Sequence, residues 1–531
     1  MSLNKKPWYW GAVAYQIYPR SFKDTNGDGV GDLAGITQKL DYLSKTLGVT
    51  AIWLSPFYKS PMADFGYDIV DYLDVDPVFG TLDDFKELLT QAHKRNLKVI
   101  IDLVANHTSD EHPWFTESKS SLQNSKRDWY IWRKGENNTP PNDWLSVFGG
   151  SAWEFDLGTG EYYLHSFSKK QPDLNWDNPE VRREIKKIMR FWLDMGIDGF
   201  RADAVYWLSK DHRFRNDPIN PHRIVGNQHE YDTLTHTYSR KGPHLYEYLH
   251  EVAEVLKEFD DAFMVIEAYP EGGKEAEEYL KFYELVDRHH VAPFNFEGIY
   301  FNWDAKLFQN FIDKFQSALK PSYLPVYTLG NHDNSRIVSR IGPNAARTAA
   351  MMLMTLPGMP FIYYGDEIGL ADVPIPSDKQ KDPMRFEGYD RDRARTPMQW
   401  DDSMNAGFTE GDPWLPLSDD FRNTNVKSEL DQKLSILNLH RELVKIRRSS
   451  SALQYGDYET LESPPEIFSF KRKFHGRVIV YLNFSDKQQA INDVSIQGTV
   501  LLSTYLDKVN LSGMISSLEL RPFEGLIIAA E

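Results

Sequence analysis

NPEVRREIKKIMRFWLDMGIDGFRAD, residues 178–203, joins the signals of one helix to those of one buried strand. Asn178 is a good helix N-cap, Pro179 suits the first helical position, and Gly196 ends the helix. The short apolar run Gly199–Ala202 then predicts a strand that is buried on both faces. A helix followed by a buried strand is the unit from which parallel sheets are built.

The same alternation recurs along the rest of the chain. Apolar residues three or four positions apart from Leu33 to Leu47 predict another helix, which Gly48 ends. Thr81 predicts the N-cap of a third. Buried strands are predicted at eight places: Ala12–Tyr18, Ala51–Leu54, Val99–Val104, Gly199–Ala202, Phe263–Ile266, Val291–Phe294, Val326–Leu329 and Phe361–Tyr364. Eight such units favour an α/β fold that closes as a (β/α)8 TIM barrel over an open sheet.

Two stretches interrupt this alternation. Residues 106–177 are rich in Trp, Asn, Ser and Gly, and an unstructured loop of that length is uncommon, so we expect a small inserted domain B. After a helix predicted at Leu430–Arg448, alternating runs predict strands at Glu466–Phe474, Arg477–Asn483, Gly498–Thr504 and Leu518–Ala530. We therefore expect residues 1–105 and 178–455 to form the barrel and 456–531 a C-terminal all-β sandwich.

Charge and composition exclude several classes of partner. The 531 residues carry a formal net charge of −17 and include no cysteine. Nucleic-acid binding and attachment to an anionic membrane both need a basic surface, so neither is expected. No apolar run reaches the length of a membrane helix, and Lys5 and Lys6 precede no apolar signal segment. These features predict a cytoplasmic protein, and they are compatible with a neutral substrate.

Polar side chains stand directly after several of the predicted strands. In chain order they are Asn106 and His107, Arg201 and Asp203, Glu267, Asn331 to Asp333, and Asp366 with Glu367. The carboxyl ends of barrel strands meet at one rim, where active sites form. We therefore expect these side chains to converge at one site.

Three of these side chains, Asp203, Glu267 and Asp333, are carboxylates. Paired carboxyl groups are what glycoside hydrolysis requires, because one attacks or stabilises an oxocarbenium-like centre and the other protonates the leaving oxygen. Arg201 lies two residues before Asp203, on the same face of the strand. We expect Arg201 to hold the Asp203 carboxylate ionised and aimed.

Each of these residues also has a purely structural interpretation. A single acid after a strand more often caps the next helix, and for Asp366 and Glu367 the two interpretations remain equally open. A lone histidine such as His107 or His332 is ordinarily a hydrogen-bonded structural residue. Helix capping, however, does not call for Arg-x-Asp, Glu and Asn-His-Asp at the ends of three different strands, so the combination favours catalysis.

A second cluster of acids lies near the N-terminus, in the nonapeptide Asp24-Thr25-Asn26-Gly27-Asp28-Gly29-Val30-Gly31-Asp32. Oxygen ligands at positions 1, 3 and 5 and a Gly at position 6 match the first half of a calcium loop. Position 12 is Gly35, so the loop is not an EF-hand. The alternative is a polar turn, but mutual repulsion of the acids favours a bound Ca²⁺ or Mg²⁺ with a structural role.

The chain resembles the α-amylase family of glycoside hydrolases over nearly its whole length, specifically the α-glucosidase and oligo-1,6-glucosidase branch. The resemblance rests on ordered motifs: Tyr15-Gln16-Ile17-Tyr18-Pro19-Arg20-Ser21-Phe22, the acidic loop, Gly66-Tyr67-Asp68-Ile69, Asp102-Leu103-Val104-Ala105-Asn106-His107, Gly199-Phe200-Arg201-Ala202-Asp203, Ile266-Glu267-Ala268, Gly330-Asn331-His332-Asp333 and Arg395-Thr396-Pro397-Met398-Gln399-Trp400. It implies the barrel, the insert and the C-terminal β-domain predicted above.

The resemblance also implies a role for each site residue. Asp203 is the expected nucleophile, Glu267 the acid/base and Asp333 the residue that binds and distorts the sugar. Side chains expected to contact or stack on that sugar are His107, Arg201, His332 and Tyr67. Asp64 and Arg395 match positions that close the pocket in exo-acting members, and Phe148 and Phe167 look like further walls. The implied metal ligands are Asp24, Asn26, Asp28, the Val30 carbonyl and Asp32.

The expected activity is that of a retaining exo-α-glucosidase on short α-glucosides, in a monomer or weak homo-oligomer. Ala204 follows the nucleophile where the α-1,6-preferring branch typically has Val, which favours α-1,4 linkages. Oligo-1,6-glucosidase activity, and transfer or isomerisation of sucrose or trehalose, remain alternatives. A non-catalytic binding or transporter-accessory domain is disfavoured, because all three acids are present.

Overall fold

The computed structural model describes residues 6–137, 139–223, 229–270, 275–387, 390–492, 494–508 and 511–531. Residues 1–5, the start of the predicted barrel segment, lie outside this description. Within the described ranges no helix has both the length and the apolar character needed to cross a bilayer.

Eight parallel strands close into a barrel. In chain order they are β1 (Ala14–Ile17), β2 (Ala51–Leu54), β3 (Lys98–Val104), β4 (Gly199–Asp203), β5 (Phe263–Ile266), β6 (Val291–Asn295), β7 (Val326–Thr328) and β8 (Met359–Tyr363). Each strand pairs with its sequence neighbours, and β8 pairs with β1 to complete the ring. The eight predicted strands and the barrel are thereby confirmed, because apolar runs buried on both faces had few alternatives to this packing.

Helices surround the barrel and fill its connections. The longer ones span Leu33–Asp41, Leu82–Lys94, Pro113–Ser120, Pro179–Met195, Leu245–Ala253, Ala305–Ala318, Pro343–Thr355 and Ile436–Ser449. Shorter helices span Glu275–Lys281, Glu297–Tyr300, Ile337–Ile341, Val426–Asp431 and Ser451–Tyr455.

The predicted helix signals act as expected at two of these helices, and a third prediction fails. The Asn178 side chain accepts a hydrogen bond from the Glu180 amide, and Gly196 ends that helix with φ of 108°. Thr81 forms a capping box with Asp84. The prediction of one helix over Leu430–Arg448 is wrong, because the Ser435 side chain caps a separate helix that begins at Ile436.

The described part of residues 106–177 contains the α-helix Pro113–Ser120, a single 3-10 turn at Arg127–Trp129 and a small antiparallel sheet. The strands Trp132–Arg133, Glu161–Leu164 and Trp153–Asp156 pair in that order. Trp144 and Trp153 lie in a small apolar cluster of their own beside this sheet. The segment leaves the barrel after β3 and returns at Asn178, so it lies over the carboxyl-end rim.

The C-terminal part of the chain is antiparallel. Six strands form one sheet in the order Asp457–Thr460, Ile467–Lys473, Arg477–Asn483, Gly525–Ala530, Ile496–Ser503 and Leu511–Ile515. Gln489–Ile491 pairs with Leu518–Leu520 in a second sheet. The single strand predicted at Leu518–Ala530 is wrong: Pro522 lacks an N–H and Phe523 has φ of 52°, so the chain turns and continues in the other sheet.

The helix Pro343–Thr355 joins the barrel to the C-terminal sheets. Arg347 Nε donates to the Thr504 carbonyl at 2.9 Å, and the Thr348 hydroxyl donates to the Phe523 carbonyl. At the end of this helix, Arg472 Nη1 donates to the Thr355 carbonyl at 2.7 Å. Side-chain donors therefore connect the two units through backbone carbonyls.

Candidate active site

A pocket of about 270 Å³ opens at the carboxyl-end rim of the barrel. Nine of the eleven residues predicted as catalytic or substrate-binding line it: Asp64, Tyr67, His107, Phe148, Phe167, Asp203, Glu267, His332 and Asp333. The other two, Arg201 and Arg395, contact the acids from behind. Asp366 and Glu367 do not line the pocket, and Glu367 accepts hydrogen bonds from the Tyr15 and Tyr42 hydroxyls.

Arg201 is the electrostatic centre of the site and is 1% exposed. Its Nη1 contacts Asp203 and lies 2.7 Å from Asp102 Oδ1, while its Nη2 lies 2.7 Å from Glu267 Oε1. Asp102 is itself held by the Trp53 indole N–H at 2.8 Å. One guanidinium thus serves three carboxyl groups, so it cannot fully neutralise them.

The Asp203 carboxyl responds to this shortage of positive charge. Burial raises the pKa of Asp203 well above its usual range, the neighbouring Glu267 and Asp102 carboxylates raise it further, and Arg201 opposes the rise. Arg201 thus acts on Asp203 in the expected direction, against burial and the two neighbouring carboxyl groups. Burial also raises the pKa of Asp102, to about 6.

Both oxygens of Glu267 accept hydrogen bonds. Oε1 accepts from the Tyr269 hydroxyl at 2.7 Å, and Oε2 accepts from the Ala204 amide at 2.7 Å. Ala204 has φ of 47° and ψ of 37°, a left-handed conformation that is strained for a residue with a Cβ. The residue after Asp203 is thus bent so that its amide points at the second carboxyl group.

Asp333 is surrounded by positive and polar groups. Its carboxylate lies 2.9 Å from Arg395 Nη2, 3.1 Å from Arg391 Nη1 and 3.3 Å from His332 Nε2. Burial opposes ionisation, but these three neighbours lower the pKa of Asp333 below its usual range. Burial lowers the pKa of His332 to about 3, so its ring is neutral, and Nε2 contacts the Tyr67 hydroxyl at 2.8 Å.

Arg391 is a functional residue that the sequence pattern did not reveal. It bridges Asp64 at 2.9 Å, Asp382 at 2.8 Å and Asp333 at 3.1 Å. Arg395, which was expected to close the pocket together with Asp64, contacts Asp333 and donates to the His332 carbonyl at 2.6 Å, whereas Arg391 is the arginine that binds Asp64. The two arginines are four residues apart on one loop, and both contact Asp333, so sequence position could not tell which one reaches Asp64.

The remaining predicted residues, His107, Phe148 and Phe167, belong to the insert itself and form one side of the pocket. His107 Nε2 contacts the Tyr67 carbonyl at 3.1 Å, and burial lowers the pKa of His107 to about 4. Phe148 and Phe167 pack edge to face with ring centres 6.0 Å apart. The guanidinium of Arg391 lies 5.2 Å from the Phe148 ring, so the insert contacts the loop that carries Arg391.

Other lining residues carried no recognised signal in the sequence: Val147, Trp207, His229, Tyr231, Asp232, Tyr269, Tyr300, Asn334 and Met384. His229 to Asp232 belong to the long connection after β4, where no hydrophobic periodicity marks a position. Tyr269 could have been found, since it stands two residues after Glu267. Several of these side chains are aromatic, so the pocket mouth suits the flat faces of sugar rings.

The acidic loop at residues 24–32 is built from turns in which side chains accept backbone hydrogen bonds. The Asp24 carboxylate accepts from the amides of Asn26 and Gly27, both at 2.9 Å. Asp28 Oδ1 accepts from the Val30 amide at 2.8 Å. Asp32 caps the helix Leu33–Asp41. In the ranges described, no three His, Cys, Asp or Glu side chains converge as a metal cage.

A closed (β/α)8 barrel whose rim carries two carboxyl groups on one guanidinium defines a class, the barrel glycoside hydrolases. The chain belongs to the α-amylase family within that class, because the family model described as the alpha amylase catalytic domain matches residues 16–456.

Comparisons with individual proteins agree with this membership. The oligo-1,6-glucosidase of Parageobacillus thermoglucosidasius is 41% identical in an alignment 569 positions long, gaps included. The alignment covers 98% of this chain and 99% of that protein. The crystal structure of an α-glucosyl transfer enzyme superimposes with a TM-score of 0.93 at 36% identity, covering 99% of this chain and all of the other. An isomaltulose synthase of Erwinia rhapontici NX5, solved with its natural substrate sucrose, gives a TM-score of 0.89 at 35% identity, with both chains covered completely.

Proposed function

We propose that this protein is a retaining, exo-acting α-glucosidase that releases or transfers glucose from the non-reducing end of short α-glucosides. One observation carries the proposal: Asp203 and Glu267 bind the two terminal nitrogens of Arg201 in a pocket that the Asp64–Arg391 ion pair also lines. Two carboxyls on one guanidinium are close together, as in retaining pairs at about 5–5.5 Å, whereas inverting pairs lie about 6.5–9.5 Å apart.

In the first step, an Asp203 carboxylate oxygen bonds to the anomeric carbon as the glycosidic C–O bond breaks. Glu267 gives its proton to the leaving oxygen, so a glucosyl ester of Asp203 remains. In the second step, Glu267 takes a proton from water or an acceptor sugar, whose oxygen displaces Asp203 from that carbon. This sequence needs one ionised and one protonated carboxyl group, Asp203 and Glu267 respectively.

The surrounding residues are assigned to the sugar that is cleaved. Ionised Asp333 accepts from its hydroxyls, with neutral His107 and His332 and the Arg201 side chain as further polar contacts. Tyr67 stacks beneath the ring, and Phe148 and Phe167 wall the side formed by the insert. Asp64, Arg391 and Arg395 close the end of the pocket, which admits a chain end and excludes the middle of a polysaccharide.

The linkage preference is proposed as α-1,4, on the single residue Ala204. Its small side chain lines the pocket, and Ala204 follows Asp203 directly in the chain. The relatives named oligo-1,6-glucosidase favour the alternative of α-1,6 linkages.

Transfer or isomerisation is the second candidate function. The similarity to an α-glucosyl transfer enzyme and to an isomaltulose synthase supports it, as does the aromatic pocket mouth, which can bind an acceptor sugar in place of water. The catalytic carboxyls have the same roles in this alternative, so only the products distinguish it.

Product analysis tests these proposals. The wild type is incubated with maltose, isomaltose, sucrose and trehalose, and the anomer released and any new disaccharides are identified by NMR. We expect α-glucose first, and β-glucose as the initial product would contradict retention. Asp203→Asn should lower kcat by about 10⁴-fold or more. Asp366→Asn, a strand-end carboxyl outside the pocket, is the matched control and should keep its activity.

Three further assignments belong to the proposal. The loop at residues 24–32 binds Ca²⁺ or Mg²⁺ through Asp24, Asn26, Asp28 and the Val30 carbonyl, an all-oxygen donor set. Asp32 is the fifth candidate ligand, in competition with its role as a helix cap. The protein is cytoplasmic, in keeping with the absence of cysteine, and monomeric or weakly associated, which light scattering of the purified chain tests.

A further inference from the structure

The segment Ser60–Gly66, called here the 60–66 loop, is held in backbone conformations that its residues seldom adopt. Met62 and Phe65 have φ of 64° and 50°, and Gly66 has φ of 107°. Left-handed conformations of residues with a Cβ are strained and persist only where the surroundings fix them. Something must therefore hold this loop in place.

The buried side chain of Asp68 provides that hold. Asp68 is 0% exposed. Its Oδ1 accepts from the Ser60 hydroxyl and from the Asp64 amide, both at 2.9 Å, and its Oδ2 accepts from the Ala63 amide at 2.8 Å. One carboxylate thus binds the first residue and the middle of the strained loop, and hydrogen bonds to a charged acceptor are the stronger kind.

The loop fixes two residues of the pocket. Asp64 Oδ1 reaches Arg391 at 2.9 Å, and its Oδ2 accepts from Gln171 Nε2 at 3.1 Å. The Tyr67 amide donates to the Asp64 carbonyl at 3.1 Å. Asp64 and Tyr67 line the pocket, whereas Asp68 does not.

We propose that Asp68 is a positioning residue whose carboxylate holds the 60–66 loop so that Asp64 meets Arg391 and closes the end of the pocket. This proposal rests on the α-glucosidase function proposed above, because a closed end matters only for a substrate that binds by its chain end. Asp68 acts through Asp64, so its loss should weaken substrate binding more than it slows the chemical step.

Hydrogen exchange tests the positioning without any substrate. In Asp68→Asn an N–H group replaces one carboxylate oxygen and opposes the backbone or hydroxyl donors of the loop. We expect exchange in peptides spanning residues 60–67 to rise by about tenfold or more. The matched control is Asp76→Asn, since Asp76 accepts from the Ser60 amide at 3.0 Å and does not reach residues 62–67. Unchanged exchange in Asp68→Asn overturns the proposal whatever the activity.

Kinetics test the consequence. On maltose or isomaltose, Asp68→Asn should raise KM by about tenfold, with a smaller change in kcat. Because Asp68 acts through Asp64, the double variant Asp64→Asn/Asp68→Asn should be no worse than Asp64→Asn alone. Additive losses would mean that Asp68 only supports the fold, and they overturn the proposal. If the wild type cleaves no α-glucoside, the proposed function fails, while the exchange result still decides the role of Asp68.

A milder variant covers the possibility that Asp68→Asn does not fold. Ser60→Ala removes one of the three donors to the Asp68 carboxylate. It should shift exchange and KM in the same directions by a smaller factor, and a wild-type profile in both readouts counts against the proposal.

Discussion

Two buried arginines at different places in the barrel show opposite uses of the same side chain. Arg201, 1% exposed, contacts Asp102, Asp203 and Glu267. Arg447, 0% exposed, donates to the carbonyls of Met354 at 2.7 Å and Leu356 at 3.0 Å, and to that of Gly358. In the described part of the chain no acidic side chain forms an ion pair with Arg447.

The different partners of the two arginines indicate different roles, catalytic for Arg201 and structural for Arg447. Burial opposes the charge on Arg201, yet the surrounding acids raise its pKa. Burial alone lowers the pKa of Arg447, to about 10. Arg447 binds carbonyls at and after the end of the helix Pro343–Thr355, where a cation also favours the helix dipole. A guanidinium that contacts carboxyl groups can respond to a change of their charge during a reaction. One that contacts only backbone carbonyls contributes to stability and not to chemistry.

The largest expected effect is that of Arg201→Met. It leaves three buried carboxyls without a cation, so kcat should fall by about 10³-fold or more in steady-state assays on maltose. The folded pKa values of Asp102 and Asp203, which already lie above the unfolded values, should rise further. Their contribution to stability is then present below about pH 4 and is lost as pH rises through the folded pKa. Denaturant unfolding should therefore show a larger loss at pH 8 than at pH 5, and a pH-independent loss would break the comparison.

Arg447→Met should act on stability alone. Three carbonyls lose their donor, so the free energy of unfolding should fall by about 3 kcal/mol in denaturant titrations. Burial and the neighbouring Arg447 lower the pKa of Arg472 to about 9, and that of Arg447 is about 10, so neither group titrates between pH 5 and pH 8 and the loss should be the same at both. The kcat of the folded fraction should match the wild type, and a change in kcat would show that this region is coupled to the pocket.

Acidification should destabilise both regions. Burial lowers the pKa of His440, on the same helix as Arg447, to about 4, as it lowers that of His332 in the pocket to about 3. A lowered folded pKa means stability that is present above the unfolded pKa of about 6.5 and lost as pH falls toward the folded value. His440→Gln should remove about 3 kcal/mol of this decline between pH 6.5 and pH 4 in unfolding titrations. An unchanged decline would place the acid sensitivity elsewhere.

Ala204→Val tests selectivity beside the Arg201 cluster. The added methyls enter the pocket next to Asp203, and we expect the ratio of kcat/KM on isomaltose to that on maltose to rise by about tenfold. A β-branched residue is poorly tolerated at the φ of 47°, so stability should also fall by about 1–2 kcal/mol. Ala204→Gly, which relieves the strain, should leave the ratio near its wild-type value.

The smallest expected effect is that of removing a divalent cation from the loop at residues 24–32. Chelation should lower the Tm by about 2–4 °C, because a ligand of the folded state alone stabilises it by mass action. Added Ca²⁺ or Mg²⁺ should restore the Tm in calorimetry. Asp28→Asn should not respond to chelator, and an identical response in this variant would refute the assignment.

Local pattern was sufficient for the barrel and for much of the pocket. Each barrel strand is an apolar run buried on both faces, and the acids follow strand ends that share one rim, so the pattern that predicts the fold also predicts where the acids meet. Arg391 was missed because an arginine in an irregular loop has no periodicity to place it. The predictions that missed the turn at Pro522 and the break before Ser435 failed for a related reason. Short polar connections decide whether a helix or strand continues, and a pattern of apolar residues does not show them.

The left-handed backbone conformation of Ala204 could not be predicted from the sequence either, because alanine seldom adopts it. The same holds for the pKa of Asp203. Counting charges near one strand suggested a stabilised carboxylate, but the balance depends on Asp102 and Glu267, which two other strands bring to the same guanidinium.

The helix Pro343–Thr355 determines whether the C-terminal sheets can be removed or exchanged independently of the barrel. Its Met351, Met352 and Met354 are almost fully covered, and Arg347 and Thr348 are tied to residues about 150 positions downstream or more. Met351 also lies against Gly525 of the C-terminal sheet, so cutting the chain near residue 456 would expose part of this helix and leave an aggregation-prone barrel. A chimaera that takes the C-terminal sheets from a related enzyme should therefore take this helix from the same enzyme.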